Sequence, residues 1–209
     1  MGHGSLSRME HETTTAAPRL VRAVVVDDHP AMRAGIRAVL DAAPRLELVG
    51  EASHGRELWP ILERTAPDVV ILDLHLPDED GLLLCYRIKR RPPAPRVVIN
   101  SAYADATLVA PALLAQADAL LAKHATSPVL CETLREIVGE ARPAPEVAPE
   151  QRERLIALLP PDDVALAGLL LLRTPIGELR QVTGLSPAEL DERVEAMLRR
   201  VSSAYGLPV

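Results

Sequence analysis

Two stretches decide the fold: Arg22-Ala-Val-Val-Val-Asp27, and Asp68-Val-Val-Ile-Leu-Asp73. Each is a short apolar run that ends in acid. A strand with one wet face would alternate apolar and polar residues. These do not alternate, so both faces call for cover. Around them the pattern changes to helical spacing. Pro30 opens a helix with Ile36, Val39 and Leu40 on one side. Gly55 to Arg64 (with Pro60 inside it), Gly81 to Arg90 and Ala106 to Ala115 read as further helices. Leu46 to Gly50, Arg96 to Ser101 and Ala119 to Lys123 read as the remaining strands, and Ser127-Pro128 begins a helix running to about Ala141. Buried strands alternating with helices, joined by right-handed crossovers, predict an α/β fold. It is a (βα)5 doubly wound, flavodoxin-like domain over residues 20–141. Sites in such sheets form at the carboxyl ends of the strands, where Asp27, Asp28, Asp73, Ser101 and Lys123 fall.

The chain has 209 residues, room for two small domains. Apolar residues make up 48% and charged residues 25%, as in a globular chain with a core. Trp59, Tyr86, Tyr103 and Tyr205 are the aromatics, too few for a platform that stacks single-stranded nucleic acid. A net charge of -6 argues against a broadly basic nucleic-acid coat. Cys85 and Cys131 form neither a disulfide framework nor a zinc site, and as buried thiols they fit a cytoplasmic chain. The longest apolar run, Val164 to Leu172, is about half of what a membrane span needs, so no membrane association is expected. Residues 1–19 read as a disordered tail and 142–150, rich in proline, as a semi-rigid linker. Residues 151–209 show helical spacing only, with helices near Gln151–Leu159, after Pro161, from Thr174-Pro175 and from Ser186-Pro187.

Three carboxylates gathered at two strand ends repel unless a cation joins them. A hard divalent ion such as Mg2+, held by carboxylates, a main-chain carbonyl and waters, is the natural solution. Lys123 can bind an anion and the Ser101 hydroxyl can hydrogen-bond one. The set describes a carboxylate nucleophile that accepts a phosphoryl group with metal assistance. His29 and His75 lack a Cys or His partner at ligand spacing. His29 is therefore read as positional, and no chemistry is asked of the His75 side chain.

Val-Val-Val-Asp-Asp-His-Pro at 24–30, Arg33-Ala-Gly35, Asp73-Leu-His-Leu-Pro77 with Asp80-Gly81, Ser101-Ala102 and Leu121-Ala-Lys123 resemble a response-regulator receiver of the NarL/FixJ type. The resemblance spans about Arg22 to Ala141. It implies that Asp73 is the phosphoacceptor, served by a sensor histidine kinase, and that catalysis is confined to the chain's own phosphorylation and dephosphorylation. It further implies that Asp27, Asp28, Asp73 and the His75 carbonyl hold Mg2+, that Lys123 binds the phosphoryl oxygens, and that Ser101 swings in to bond the aspartyl phosphate. Activation through a homodimer is a family expectation. The family's aromatic switch residue is replaced here by Leu120, and His124 follows the lysine.

Leu159 to Val201 resembles a LuxR-type helix-turn-helix, with Thr174–Val182 as scaffold helix, Thr183–Ser186 as turn and Pro187–Val201 as recognition helix. Leu190, Val194, Met197, Leu198 and Val201 form its buried stripe. From Glu150 onward the chain carries seven Arg, no Lys and nine acids, a net charge of -2. Asp191, Glu192 and Glu195 stand on the face expected to meet solvent and DNA, where acid repels a polyanion. Arg193, Arg199 and Arg200 are the candidate DNA contacts, and Ser186 with Glu189 has the spacing of a capping box. Two functions follow. One is a phosphorylation-controlled transcription regulator that binds duplex DNA. The other is a receiver whose acidic helix docks on a protein partner or on the receiver itself.

Overall fold

The computed structural model describes residues 19–139 and 147–207. The residues expected as a disordered tail (but for Arg19), the end of the helix expected to reach Ala141, and positions 142–146 of the expected linker lie outside them.

Strands β1 (Val21–Val26), β2 (Leu46–Ala52), β3 (Val69–Leu72), β4 (Arg96–Ser101) and β5 (Ala119–Ala122) form one sheet. Its order is β2-β1-β3-β4-β5, with every neighbouring pair parallel. Helices α1 (Pro30–Ala42), α2 (Gly55–Thr65), α3 (Gly81–Lys89), α4 (Val109–Leu114) and α5 (Ser127–Gly139) make the crossovers and the last layer. The flavodoxin-like expectation holds. Alternate residues of β1 explain why its run is apolar throughout. Val21, Ala23 and Val25 pack with Ile36 and Leu40 of α1 and Leu134 and Ile137 of α5. Val24 and Val26 pack on the opposite face with Leu58, Leu84 and Leu113.

Element ends move by a residue or two. Ala106–Leu108 is a 3-10 turn ahead of α4, which stops at Leu114, and Gln116 then takes a left-handed φ of 64°. Pro60 stays within α2 on its exposed side without ending the helix.

The carboxyl-terminal region is all helical: α6 (Pro149–Ala157), α7 (Pro161–Leu171), α8 (Ile176–Thr183) and α9 (Pro187–Ala204). Val147 is buried and Pro149 opens α6, so the end of the Pro-rich stretch belongs to the helical domain. The all-helical region is consistent with a helix-turn-helix: Gly184 in the left-handed region (φ 70°) closes α8, and α9 begins three residues on. The stripe from Leu190 to Val201 is buried as the spacing predicts. Its core is continuous with that of the receiver-like domain, because Leu82, Leu113, Leu166, Leu170 and Val194 belong to one cluster. Among the described residues no helix is long and apolar enough to cross a membrane.

Candidate functional site

Register brings the site together. Val26 pairs with Leu72, so the residues that follow, Asp27 and Asp73, emerge side by side from adjacent strands. The Asp73 N–H donates to the Val26 carbonyl at 2.8 Å, and the Asp27 N–H to Ala52 at 3.1 Å. This is where the strand order turns, between β1 and β3, the usual place for a ligand in such sheets. Both carboxylates are 1% exposed, too deep for a bare charge without a partner.

The partner is Lys123, just past β5. Its Nζ lies 2.6 Å from Asp73 Oδ2 and 2.8 Å from Asp27 Oδ2. Burial raises the pKa of the Asp73 carboxyl above the ordinary range, against the pull of Lys123. For Lys123 burial acts downward, but hydrogen bonds and charge from Asp27 and Asp73 outweigh it and hold the ammonium above its ordinary value. Ser101 closes β4, fully buried, with its Oγ accepting from the Tyr103 N–H at 3.2 Å, and its carbonyl accepts the Lys123 N–H at 2.9 Å. The His75 N–H donates to Asp73 Oδ1 at 3.2 Å.

Asp27, Asp28, His29 and Asp73 each offer a ligand atom within 4.8 Å of the others. Carboxylate oxygens suit a hard divalent cation. Two of them, Asp27 Oδ2 and Asp28 Oδ1, are buried, with Lys123 Nζ as the near neighbour of the first and His29 Nδ1 of the second. An acidic pocket holding more carboxylate oxygens than cationic partners fits such an ion. His29 was read from sequence as positional, yet its Nδ1 lies 2.5 Å from Asp28 Oδ1, at the rim of that pocket. Arg33 enters the sequence reading only within the Arg33-Ala-Gly35 motif and with no role of its own; its Nη1 donates to the Asp27 carbonyl at 2.6 Å. Its place one turn into α1 was the available signal.

The acidic face of α9 requires a correction. Asp191 and Glu195 were expected to face solvent, and both instead meet α3 of the receiver-like domain. Asp191 accepts from Tyr86 Oη at 2.7 Å and from Arg90 Nη2 at 3.0 Å. Glu195 is gripped by Arg87 through Nε and Nη2, each at 3.0 Å. That two-toothed grip pulls the Glu195 carboxyl below its ordinary pKa. Glu192 is exposed as expected. The physical reason is charge matching between two helices: α3 presents a tyrosine and two arginines, and α9 presents two acids one turn apart. Of the candidate DNA contacts, Arg193 bonds to Asp163 at the start of α7, Arg199 to Glu195 at 2.7 Å, and Arg200 is exposed. A second tie joins the domains where Gln116 Nε2 donates to the Leu170 carbonyl at 3.0 Å and Arg173 bonds the Ala117 carbonyl.

A doubly wound sheet with a buried carboxylate, a lysine and an acid pocket at its carboxyl edge is the arrangement of a signal-receiver domain. The model of the response regulator receiver domain matches residues 23–135, and the chain belongs to that family. It is similar to the uncharacterized transcriptional regulatory protein YhcZ of Bacillus subtilis, 31% identical over 129 residues (62% of this chain, 60% of that protein). It is 30% identical over 137 residues to the transcriptional regulatory protein LiaR of the same organism (65% of each). The signal receiver domain of the response regulator NarL from Mycobacterium tuberculosis superposes with a TM-score of 0.55 at 30% identity, covering 59% of this chain and all of that one. The matched region thus spans 60–65% of the length of these two curated relatives.

Proposed function

We propose that the chain is a two-component response regulator that takes a phosphoryl group on Asp73 from a sensor histidine kinase and regulates transcription through its helix-turn-helix. The observation that carries this is the buried Asp73 carboxylate held 2.6 Å from Lys123 beside the Asp27 and Asp28 acids. A carboxylate oxygen of Asp73 attacks phosphorus, an O–P bond forms, and the bond to the donor nitrogen or oxygen breaks with its electron pair leaving on the donor. Lys123 is placed to follow the new charge, since its ammonium already bridges Asp73 and Asp27. The Ser101 hydroxyl, at the end of the neighbouring strand, bonds the phosphoryl oxygens. Bound Mg2+, held by Asp27, Asp28, Asp73 and the His75 carbonyl, would neutralise charge on the incoming group. The chemistry stays on Asp73 itself, and water later removes the phosphoryl.

Control of the output follows from the α3–α9 contact. The face of α9 that would enter a DNA groove is occupied by the receiver domain, so phosphorylation acts by releasing it, and a homodimer of released chains reads the DNA. The relatives are transcriptional regulators by name, and Asp191 and Glu195 are engaged within the chain. Docking on a separate protein is therefore not the reading favoured. The test is phosphoryl uptake from acetyl phosphate with Mg2+, followed by binding to duplex DNA at low salt. Wild-type protein should label and then bind with an affinity that falls steeply as salt rises. Asp73→Asn should do neither, and full labelling of that variant would overturn the assignment.

A further inference from the structure

The β3–α3 loop, Leu74 to Asp80, begins at the Asp73 carboxylate and ends against α9. It is braced along its length. His75 donates its N–H to Asp73 Oδ1, an isolated antiparallel bridge joins His75 to Asp80, and the Gly81 N–H reaches the Leu74 carbonyl at 3.3 Å. Gly81 lies so close to the strand end that a Cβ there would stand 2.6 Å from the Asp73 carbonyl oxygen. A loop closed and packed in this way shifts as a unit when the groups around Asp73 rearrange.

Its far end carries Glu79 and Asp80. Glu79 accepts from Arg87 Nη1 at 2.5 Å, while the other edge of the same guanidinium forks onto Glu195 of α9. Asp80, buried, caps α3 through the N–H groups of Leu82 and Leu83, with Ser202 and Arg199 of α9 beside its carboxylate. The neighbouring clamp on Asp191 is different in kind: Tyr86 within α3 and Arg90 just past its end hold it, away from the β3–α3 loop. Leu120 is an apolar side chain packed on the core and has no polar tip with which to exchange partners.

We propose that Arg87 couples the phosphorylation site to the output domain: Glu79 holds the guanidinium in the orientation that grips Glu195, and movement of the β3–α3 loop on phosphorylation withdraws Glu79 and loosens α9. The inference rests on Asp73 being the phosphoacceptor. Arg87 is a positioning residue. A planar fork fixed along one edge loses little freedom in bonding with the other, so removing Glu79 weakens the grip without touching α9.

The test uses the full chain with reporter dyes on Glu132→Cys and Arg200→Cys, both exposed positions away from the α3–α9 bonds. Energy transfer reports docking with and without Mg2+ and beryllofluoride, and fluorine NMR reports beryllofluoride uptake separately. Wild-type protein should release α9 on loading. Glu79→Gln should take up beryllofluoride normally while its loading-dependent shift in the docked–released equilibrium falls about tenfold. Arg87→Lys, which keeps the charge but not the fork, should lose the coupling in the same way. Asp191→Asn should favour release by the same factor in both states and keep the coupling. Normal uptake with a wild-type shift in Glu79→Gln overturns the proposal alone, as does equal loss of coupling in Asp191→Asn. A wild-type chain that takes up no beryllofluoride overturns the phosphoacceptor reading, and the proposal falls with it.

Discussion

A methyl group at position 81 has no space to occupy. It would meet the Leu74 Cα at 2.5 Å and the Asp73 carbonyl oxygen at 2.6 Å, both main-chain atoms that cannot rotate away. Gly81→Ala should therefore cost about 3 kcal/mol of receiver stability, within the usual range for overpacking, measured as a lower urea midpoint. An unchanged midpoint would mean that the β3–α3 loop yields freely, against the rigidity argued above. At this scale the acidic pocket was readable in the sequence: Asp27 and Asp73 each end an apolar run, and a strand end is a position that pattern alone locates. Arg87 and Arg90 were not. They are ordinary charges in the last turns of a helix, and nothing local marks them as bonded to residues about a hundred positions away.

Helix α9 shows the same division between its ends and its faces. Its start is local chemistry: Ser186 Oγ accepts from the Glu189 N–H and Glu189 reaches back to the Ser186 N–H, a complete capping box. Ser186→Ala should cost about 1 kcal/mol, read as a lower unfolding midpoint of the helical domain, and no loss would mean that packing alone holds that end. The apolar stripe was equally readable, because period 3.6 sorts buried from unburied positions within one helix. What covers the polar face lies outside that pattern. From the sequence Asp191 and Glu195 read either as acids facing solvent and DNA or as a docking face for a partner or the receiver itself, and only α3 arriving opposite them decides between the two. The split of the Ala106–Ala115 segment did have a local mark, Pro111, which lacks the N–H a helix interior needs and stands in the first turn of α4.

Across the whole molecule, two domains share one apolar cluster and are pinned by ionic bonds from α3 to α9. The Glu195 carboxyl has a depressed pKa when docked, chiefly through its bond to Arg87. A group with a lowered bound-state pKa stabilises docking fully above its free pKa, and that contribution is lost as pH falls through the bound value. Docking should thus be independent of pH near neutrality and weaken below about pH 4. Energy transfer between domains checks it, with Glu195→Gln as the chain that should lack that acid step. The same step in Glu195→Gln would assign acid release to another carboxylate.

Apolar runs, helical spacing, caps and acids at strand ends are properties of contiguous residues. From them the sequence alone determined the five-stranded α/β domain, the helical second domain and the pocket around Asp73. Which surface meets which is set by side chains that come together only when the chain is folded. The tertiary structure alone decided that the acids of α9 face the receiver-like domain, that His29 and Arg33 crowd the acidic pocket, and that Glu79, Arg87 and Glu195 stand in line. Local pattern records whether a residue is buried, whereas its partner is chosen by the matching of charge and shape between distant elements.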